Sequence, residues 1–510
     1  MIANTKLNSS SQIKRGAIIS YATIMFNIVA GLIYTPWLIS KIGPSDYGIF
    51  TLSVSVIGLF VMDFGLGAAV SKFMSKYIAQ NKLDKMNDFL GITFKLYVIV
   101  DLIIFIVLMC VFISINDIYK ELTPTEIHKF KTVFCISGLF SIVSFPFIPL
   151  NGILIANEKF VFIKFCELFN KIGTIILMVI AIFMGRGLYA IVIVNVFVGS
   201  ILILLKLKYM KVNTNLKVNF KCKDKVMLKE IFNFSIWTTI MNIAGRIIMN
   251  ITPTILAISS GSGEIAIFSI GMTIEGYTYT FASGLNGLFL PKVSKILDDK
   301  TRKNEIEKLM VKVGRIQLFI IGIILIGFMV FGKEFISMWM GPKFDNAYWV
   351  ALFLIIPCFI TLTQEIANTM IIVVDKVKER SIIHVFTAIL SIILSLILSK
   401  KYGAIGSALA IGIATFIGNV IVVNIFYCYK LNINIKKFFI DCHLKMIIPL
   451  LLSYTVGILL NKFIYLSGWV FFALKVVIMI CVYVILMWNV ALNEEEKGLI
   501  VNVSKRIKNR

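Results

Sequence analysis

The stretch of sequence that decides the fold is residues 14–41, KRGAIISYATIMFNIVAGLIYTPWLISK. Two basic residues, Lys14 and Arg15, precede an uncharged run from Ala17 to Ile39. A helix of that length crosses the roughly 30 Å hydrocarbon core of a bilayer. Because the run lacks a small-residue cleavage site, it predicts a first transmembrane helix and not a removed signal peptide.

Similar apolar runs recur along the whole chain of 510 residues. Hydrophobic residues make up 58% of it, charged residues 15%, and the mean hydropathy is +0.91, whereas soluble domains are about 45–50% apolar and about 25% charged. The sequence therefore predicts an all-α polytopic membrane protein with about 14 transmembrane helices. The predicted spans are 17–39, 47–69, 93–114, 132–156, 165–184, 187–207, 232–257, 265–290, 314–332, 347–372, 381–399, 403–426, 446–462 and 469–490.

The charges of the chain orient these spans. Lysine and arginine number 51, aspartate and glutamate 27, and the net charge is +24. Such an excess would suggest nucleic acid in a soluble chain, but here most basic residues lie in the two tails and in every second gap between spans. By the positive-inside rule both termini are cytoplasmic, and the basic residues meet anionic head groups. We expect a multi-pass protein of the bacterial plasma (inner) membrane that does not bind nucleic acid.

An internal repeat organises the spans. Span 1 ends with Tyr34-Thr35-Pro36 and span 7 with Ile251-Thr252-Pro253, 217 residues later. Gly65-Leu66 in span 2 matches Gly284-Leu285 near the end of span 8. Because six spans is an even number, both copies enter from the same side and are parallel repeats about an axis along the membrane normal.

The repeat divides the chain into three parts. We predict an N-terminal six-helix half at 1–215, a C-terminal six-helix half at 216–430, and two additional transmembrane helices with a cytoplasmic tail at 431–510. Two such halves enclose a central cavity that opens alternately to either side of the membrane. This organisation is typical of a transporter.

Three short segments near the N-terminus carry a family resemblance: Ile42–Phe50 (IGPSDYGIF), Asp63–Gly67 (DFGLG) and the basic exit Ser71-Lys72-Phe73. Together they resemble the opening of polysaccharide-biosynthesis transporters, the O-antigen and capsule repeat-unit flippases. That family shares a superfamily with multidrug and toxin extrusion (MATE) transporters and with lipid II flippases. The sharp motif is confined to these segments, whereas the topology of six, six and two spans covers the whole chain.

The resemblance implies a MATE-like fold and a flippase that works by alternating access. Its substrate would be a polyprenyl-pyrophosphate-linked oligosaccharide, an O-antigen or capsule repeat unit, moved from the cytoplasmic to the outer leaflet. Polymerase and chain-length proteins of the same pathway are implied partners. Since no bond of the substrate changes, we expect no enzymatic activity, no cofactor and no metal site; coupling to a proton or sodium gradient would need a carboxylate that changes its charge or its ligands.

Three other functions stay open. A multidrug antiporter would need an anionic or aromatic cavity for cationic drugs, which a central arginine disfavours. One arginine does not separate a repeat-unit flippase from a lipid II flippase. A membrane-bound polymerase or ligase of the same glycan pathway would need a substantial external loop, and the longest one predicted runs only from Ile115 to Lys131.

Two charged residues lie deep in the spans that begin the second half, Arg246 in span 7 and Glu275 in span 8. A charge in hydrocarbon costs several kcal/mol, roughly 2.5–3.5 on insertion scales, so it usually faces a partner or a wet cavity. Both residues lie roughly 14 Å below the outer surface at about 1.5 Å per residue. Arg246 is the best candidate to bind a pyrophosphate, because a guanidinium donates two parallel hydrogen bonds to phosphate oxygens. The alternative is an Arg246–Glu275 ion pair that only satisfies both charges.

Other polar side chains are candidates for sugar contact and for coupling. Tyr277 and Tyr279 lie near the level of Glu275 and are candidates for sugar contact. Asp63, Glu275 and Glu365 are the carboxylates that could gate or couple transport. For Asp63 the alternative is an interfacial carboxylate bonded to a lysine or a helix-end amide, and for Glu365 it is helix packing through polar residues.

Basic residues at the cytoplasmic mouth form a second group of candidates. Lys14, Arg15 and Arg315 could collect a diphosphate-linked substrate before it reaches the central arginine, although ordinary topology signals explain them equally well. Lys475, in span 14, is expected to snorkel to the outer surface without a partner. Lys171 is expected to pair with Glu167 at the i, i+4 spacing.

Overall fold

The computed structural model describes residues 23–214, 216–222, 224–282, 289–298, 303–464, 468–494 and 496–498. Every regular element in those ranges is helical. The first α-helices are α1 (Thr23–Ile42), α2 (Pro44–Phe60), α3 (Leu66–Ala79), α4 (Leu83–Ile118), α5 (Pro124–Ser144), α6 (Pro149–Ala156), α7 (Phe160–Phe183) and α8 (Gly187–Asn213). They are followed by α9 (Lys225–Ser259), α10 (Ser262–Ala282), α11 (Leu290–Asp298), α12 (Lys303–Met340), α13 (Ala347–Thr361), α14 (Glu365–Val373), α15 (Val377–Thr415), α16 (Val423–Leu431), α17 (Ile435–Phe438), α18 (Lys445–Phe463) and α19 (Trp469–Leu486).

Eleven helical segments within the described ranges are long and apolar enough to cross a membrane. The prediction of a polytopic all-helical membrane protein is thereby confirmed. One segment, Val377–Leu431, has 55 residues, whereas one crossing needs about 20, and Gly403 breaks it with φ 54° and ψ −131°. The helices α2 and α10 are not among the eleven, so the count of 14 spans stays a prediction.

Two predicted spans of the first half are broken helices. Span 2 is predicted as one helix over 47–69, but α2 ends at Phe60 and α3 begins at Leu66. Phe64 and Gly65 between them have φ values of 48° and 69°, through which a right-handed helix cannot continue. A 3₁₀ turn at Phe145–Phe147 likewise separates α5 from α6, and its proline removes a helical N–H.

The second half contains one comparable break. A 3₁₀ turn at Leu362–Gln364 divides its fourth predicted span into α13 and α14, as the turn at Phe145–Phe147 divides the fourth predicted span of the first half. This correspondence supports the duplication. The predicted match at Gly284-Leu285 lies outside the described residues.

The described residues form two compact units. Unit 1 contains those up to Ser269 together with His384–Ser407, and unit 2 contains Ile270–Ile383 together with those from Ala408 onward. In unit 1, α9 packs along α2, and α3 packs on α6. In unit 2, α12 packs against α13, α18 and α19. The boundaries predicted from the repeat, at 215 and 430, stay a prediction about the duplication and differ from these units.

Two predicted roles of lysines in the spans are wrong. Lys475 does not snorkel: it is only 3% exposed and donates to Glu334 of α12 at 2.5 and 2.7 Å. The structure pairs Glu167 with Lys164 at 2.8 Å instead of with Lys171. Both errors arise because a helix periodicity does not reveal which neighbouring side chain a charge meets.

Candidate functional site

A polar stripe runs along the apolar helix α9. Asn242, Arg246 and Asn250 are spaced at i, i+4 and i+8, and Thr239 lies at i−7 from the arginine, so all four share one face. The two outer members contact neighbours in unit 1. The Thr239 hydroxyl donates to the carbonyl of Phe64, and the Asn250 amide lies against Gly58 of α2. The stripe therefore borders the broken second span.

Arg246 and Asn242 are exposed at the middle of this stripe. Within the described part of unit 1, no residue forms an ion pair or side-chain hydrogen bond with Arg246. A guanidinium that faced hydrocarbon would be strongly unfavourable, so an exposed arginine in a membrane helix indicates a wet cavity. The sequence predicted Arg246 as the site residue; the two asparagines were missed, although their four-residue spacing from it can be read directly.

Asp63 belongs to the break in span 2. Its carboxylate accepts from the Tyr97 hydroxyl at 2.6 Å and from the Gly67 backbone N–H at 2.9 and 3.1 Å. These bonds satisfy an N–H of the first turn of α3, which has no partner within its own helix. The geometry thus favours the expectation of a helix-end contact for Asp63, while its role in coupling stays a prediction.

Glu275 lies in a buried position of unit 2. It is 6% exposed, and the thiol of Cys358 in α13 lies 3.7 Å from its carboxylate. Tyr279, one turn further along α10, is 47% exposed and lies within electrostatic range of Glu275, Cys358 and Glu365. Tyr277 is half-buried and points away from that face, because two residues turn a helix by about 200°. The predicted ion pair of Glu275 with Arg246 stays a prediction, since the two residues belong to different units.

Glu365 stands at the start of α14, where a polar network crosses unit 2. Gln364 donates to Asn424 at 2.7 Å, and the Tyr427 hydroxyl donates to Asn368 at 2.8 Å. The Thr369 hydroxyl lies 3.5 Å from the Glu365 carboxylate.

Arg380 extends this network from α15. It donates to Asn419 at 3.4 Å and interacts electrostatically with Tyr427. Sequence reasoning assigned Arg380 to a cytoplasmic gap, because it lies just before the predicted span 381–399. The helix in fact starts at Val377, which places the guanidinium one turn inside it.

A second polar cluster joins the starts of α2 and α10 in unit 1. Ser45 and Ser262 each donate to Oε1 of Glu126 at 2.5 Å. Glu126 also forms a capping box with Thr123 at the start of α5, and Asp46 pairs with Lys129 at 2.6 Å. Gly48 permits this close approach, because a Cβ there would lie 2.2 Å from the carbonyl oxygen of Ser262. Sequence reasoning missed Glu126, although the Thr-x-x-Glu spacing at Thr123 could have revealed it.

Three basic residues were predicted to line the cytoplasmic mouth, and the structure describes one of them. Lys14 and Arg15 lie outside the described residues. Arg315 is 5% exposed and donates to Glu496 at 2.6 and 2.9 Å, to the carbonyl of Asp441 at 3.0 Å and to that of Ala491. The N–H groups of its guanidinium thus donate to other parts of the protein. These bonds connect α12 to the segment around Glu496, and they favour a structural role for Arg315.

Known proteins resemble this chain in sequence. The profile of a family described as polysaccharide biosynthesis protein matches residues 41–348. The chain is 26% identical over 222 residues to the capsular polysaccharide biosynthesis protein CapF of Staphylococcus aureus, a match that covers 44% of this chain and 55% of CapF. It is 21% identical over 385 residues to a Shigella flexneri protein described as an O-antigen transporter, covering 73% of this chain and 88% of that protein.

Two solved structures share the fold. The lipid II flippase MurJ in an inward closed conformation superposes with a TM-score of 0.69 at 16% identity, covering 92% of this chain and 98% of MurJ. An inward-facing MATE family multidrug resistance transporter superposes with a TM-score of 0.62 at 14% identity, covering 79% of this chain and 96% of the other. At such identities the likeness concerns the fold, and the predicted MATE-like architecture is confirmed.

Proposed function

This chain belongs to the polysaccharide biosynthesis protein family, and from that membership we propose that it is a flippase. Its substrate is a polyprenyl-pyrophosphate-linked oligosaccharide, an O-antigen or capsule repeat unit, which moves from the cytoplasmic to the outer leaflet. The O-antigen transporter described in Shigella flexneri and the flippase fold support the proposal. The observation that carries it is the exposed Arg246 in the middle of a polar stripe on an otherwise apolar helix.

The proposed task of Arg246 is to hold the diphosphate. Its planar fork can donate two parallel hydrogen bonds to phosphate oxygens, and the flanking Asn242 amide can add a third donor. The prenyl chain stays in lipid, and the sugars follow the polar route. Tyr279 is the better placed of the two tyrosines for a sugar contact, because its ring is exposed beside Glu275 and Glu365. No bond of the substrate is broken, so the proposal includes no enzymatic step.

Alternating access requires that one side of the cavity be closed while the other is open. The hydrogen bonds of Ser45 and Ser262 to Glu126 join helices that begin equivalent spans of the two repeats. In the proposed topology, with both termini in the cytoplasm and the protein in the bacterial plasma membrane, these helix starts lie on the outer side. We assign to this cluster, which we call the outer latch (Ser45, Glu126 and Ser262), the closure of the outer side.

Coupling to a proton or sodium gradient is proposed for Glu275 and Glu365. Glu275 is buried, and the one donor to it in the described part of unit 2 is a thiol, which is weak. A carboxylate so poorly stabilised gains from a proton or a cation. The sugar polymerase and chain-length proteins of the same pathway remain proposed partners, since they would use the product in the outer leaflet.

The alternatives differ in the charge of the cargo. A MATE-type multidrug antiporter for cationic drugs would meet repulsion at Arg246, whereas a lipid diphosphate would be attracted. Lipid II carries the same diphosphate as a lipid-linked repeat unit. A lipid II flippase and a repeat-unit flippase therefore differ in the sugars that they accept.

The test of this function uses proteoliposomes of the full chain with a fluorescent polyprenyl-diphosphate oligosaccharide in one leaflet. Wild-type protein should move it to the other leaflet, Arg246→Ala should abolish the movement, and Arg246→Lys should keep a part of it, because a point charge lacks the fork. Arg186→Ala, at an exposed arginine before α8, is the matched control and should move it normally. Normal movement by Arg246→Ala would exclude Arg246 from the substrate site. If Arg246→Ala abolished the movement and the further change Glu275→Ala restored it, the result would instead favour the ion-pair alternative.

A further inference from the structure

A cavity of about 690 Å³ lies in unit 2 where α11 ends and α12 begins. Its walls come from the first turns of α12, from α17 with the residues before it, and from Asn493 and Glu496 near the C-terminus. The membrane segments Glu305–Met340 and Ile435–Phe463 both start at this cavity. It therefore lies at a surface of the membrane, at the level of lipid head groups.

The rim of this cavity, which we call the basic pocket, carries the ammonium groups of Lys292, Lys308 and Lys437. All three lysines are exposed. Among the residues that the structure describes, none forms an ion pair with them. Three such cations around one cavity repel each other unless an anion enters.

The acidic residues of the pocket bond to groups other than these three lysines. Glu496 pairs with Arg315 at 2.6 Å, and Asp441 pairs with Lys445 at 2.7 Å. Glu307 accepts the backbone N–H of Asn434 at 2.9 Å. Glu305 likewise has a partner within the protein.

The inner wall of the pocket is apolar. Ile296, Leu309, Ile433 and Phe438 line it and belong to the buried core of unit 2. A ligand that fits both surfaces has a phosphate at its outer end and a glycerol or acyl part at its inner end. A small free anion would leave the apolar wall in contact with water only.

The same arrangement recurs at the equivalent place of the first repeat. A cavity of about 360 Å³ lies where α3 meets α4, and it is lined by Lys76, Lys82 and Lys85 together with Asp224 and Glu230 at the start of α9. The segment that follows each sixth span also bonds to the helix whose first turns line the cavity. In unit 1 the side-chain amide of Asn219 donates to Asp88 of α4 at 2.6 Å, and in unit 2 the backbone N–H of Asn434 donates to Glu307 of α12 at 2.9 Å. At least three lysines thus line a cavity at both places, which argues against a chance cluster of surface lysines.

We propose that the basic pocket binds the phosphate head group of an anionic phospholipid of the surrounding bilayer. Basic cavities between membrane helices at the cytoplasmic side are suited to such head groups, and lysine binds phosphate as a point charge. The bound lipid joins α12 to the segment at Asn434 and to the C-terminus. This role concerns the bilayer and not the transported substrate, so it does not depend on the proposed flippase activity.

The test compares two double variants of the full-length protein in nanodiscs. Lys308→Gln with Lys437→Gln removes two charges from the pocket, whereas Lys430→Gln with Lys436→Gln removes two exposed lysines that do not line it. Native mass spectrometry measures how much phosphatidylglycerol each protein retains against phosphatidylcholine. We expect the pocket variant to bind phosphatidylglycerol about fivefold more weakly per lysine removed and the control to bind it as the wild type does.

Two further measurements keep the result unambiguous. Lys308→Arg with Lys437→Arg keeps both charges and should retain the lipid, which separates loss of charge from misfolding. Sodium pyrophosphate is the soluble probe, and it should not protect the wild-type protein from thermal unfolding at concentrations where phosphatidylglycerol does. Equal retention by the two glutamine variants, or protection by pyrophosphate without retention of phosphatidylglycerol, would overturn the proposal.

Discussion

Ser45 and Ser262 are separated by 217 residues, and their hydroxyl oxygens lie 3.1 Å apart beside the same carboxylate oxygen of Glu126. The separation equals the offset between Thr35 and Thr252, from which the internal repeat was inferred. The two serines occupy the first turns of α2 and α10, the second predicted spans of their repeats. The predicted duplication therefore makes these two serines equivalent, and a single glutamate from α5 bonds to both.

A disulfide bond between positions 45 and 262 should hold the outer latch closed. Ser45→Cys with Ser262→Cys places two sulfurs near the distance at which disulfides form, because the native oxygens are already 3.1 Å apart. Oxidation should stop movement of the lipid-linked oligosaccharide, and a reductant should restore it. Peptide mass spectrometry identifies the cross-link, and each single variant is the control. Undiminished movement by the cross-linked protein would show that these helix starts need not separate.

Removing the charge of Glu126 should loosen the latch. Glu126→Gln replaces charge-assisted bonds, worth about 1.5–3 kcal/mol each, by neutral bonds of about 1 kcal/mol. A cysteine at position 45 should then react at least about threefold faster with a membrane-impermeant maleimide added from outside. The comparison is Thr123→Ala, which weakens the helix cap by about 0.5–2 kcal/mol but leaves both serine bonds. Equal labelling rates in the two backgrounds would assign Glu126 to the cap alone.

Asparagine substitution should separate the two roles considered for Asp63. Asn caps a helix about as well as Asp, so Asp63→Asn should keep its bond to Gly67 and its activity if the residue is structural. Glu275→Gln should instead abolish transport driven by an ion gradient while leaving protein in the membrane. The measurement is lipid movement with and without an imposed gradient. Loss of gradient-driven movement in Asp63→Asn alone would transfer the coupling role to Asp63.

The buried Arg315–Glu496 pair should matter for stability and not for substrate. Arg315→Ala leaves a buried carboxylate without its partner, which costs about 3–5 kcal/mol. Arg315→Met with Glu496→Leu should unfold closer to the wild type, because both charges leave together. Thermal unfolding in detergent ranks the three proteins. If Arg315→Ala unfolded at the normal temperature but bound substrate more weakly, Arg315 would be a substrate-binding residue and not a structural one.

Apolar runs and basic gaps were sufficient to predict the fold, because hydrocarbon demands long uncharged helices and lipid charge orients them. They were also sufficient to select Arg246, since an arginine inside such a run has no role in orientation. The partner of Lys475 could not be found in this way: Glu334 is 141 residues away, and the contact depends on how α12 and α19 pack.

The exact places where helices break and begin could also not be predicted from the sequence. The break after Phe60 was not predicted, because apolar residues continue on both sides of the motif that carries Gly65. The displaced start of α15 moved Arg380 from a loop into a polar network. Such boundary errors of a few residues change which charged residues are assigned to membrane helices. Candidate sites are chosen from those residues, so the errors affect the choice of site.

The contact of Arg315 with Glu496 also has a consequence for biogenesis. The two residues are 181 positions apart, so α12 enters the membrane with an uncompensated guanidinium while the ribosome still has that length to synthesise. At about 5–20 residues per second this interval lasts roughly 10–40 s. A segment made long after α12 therefore completes the packing of that helix, and a nascent chain that stops before Glu496 would keep the Arg315 guanidinium without its carboxylate partner.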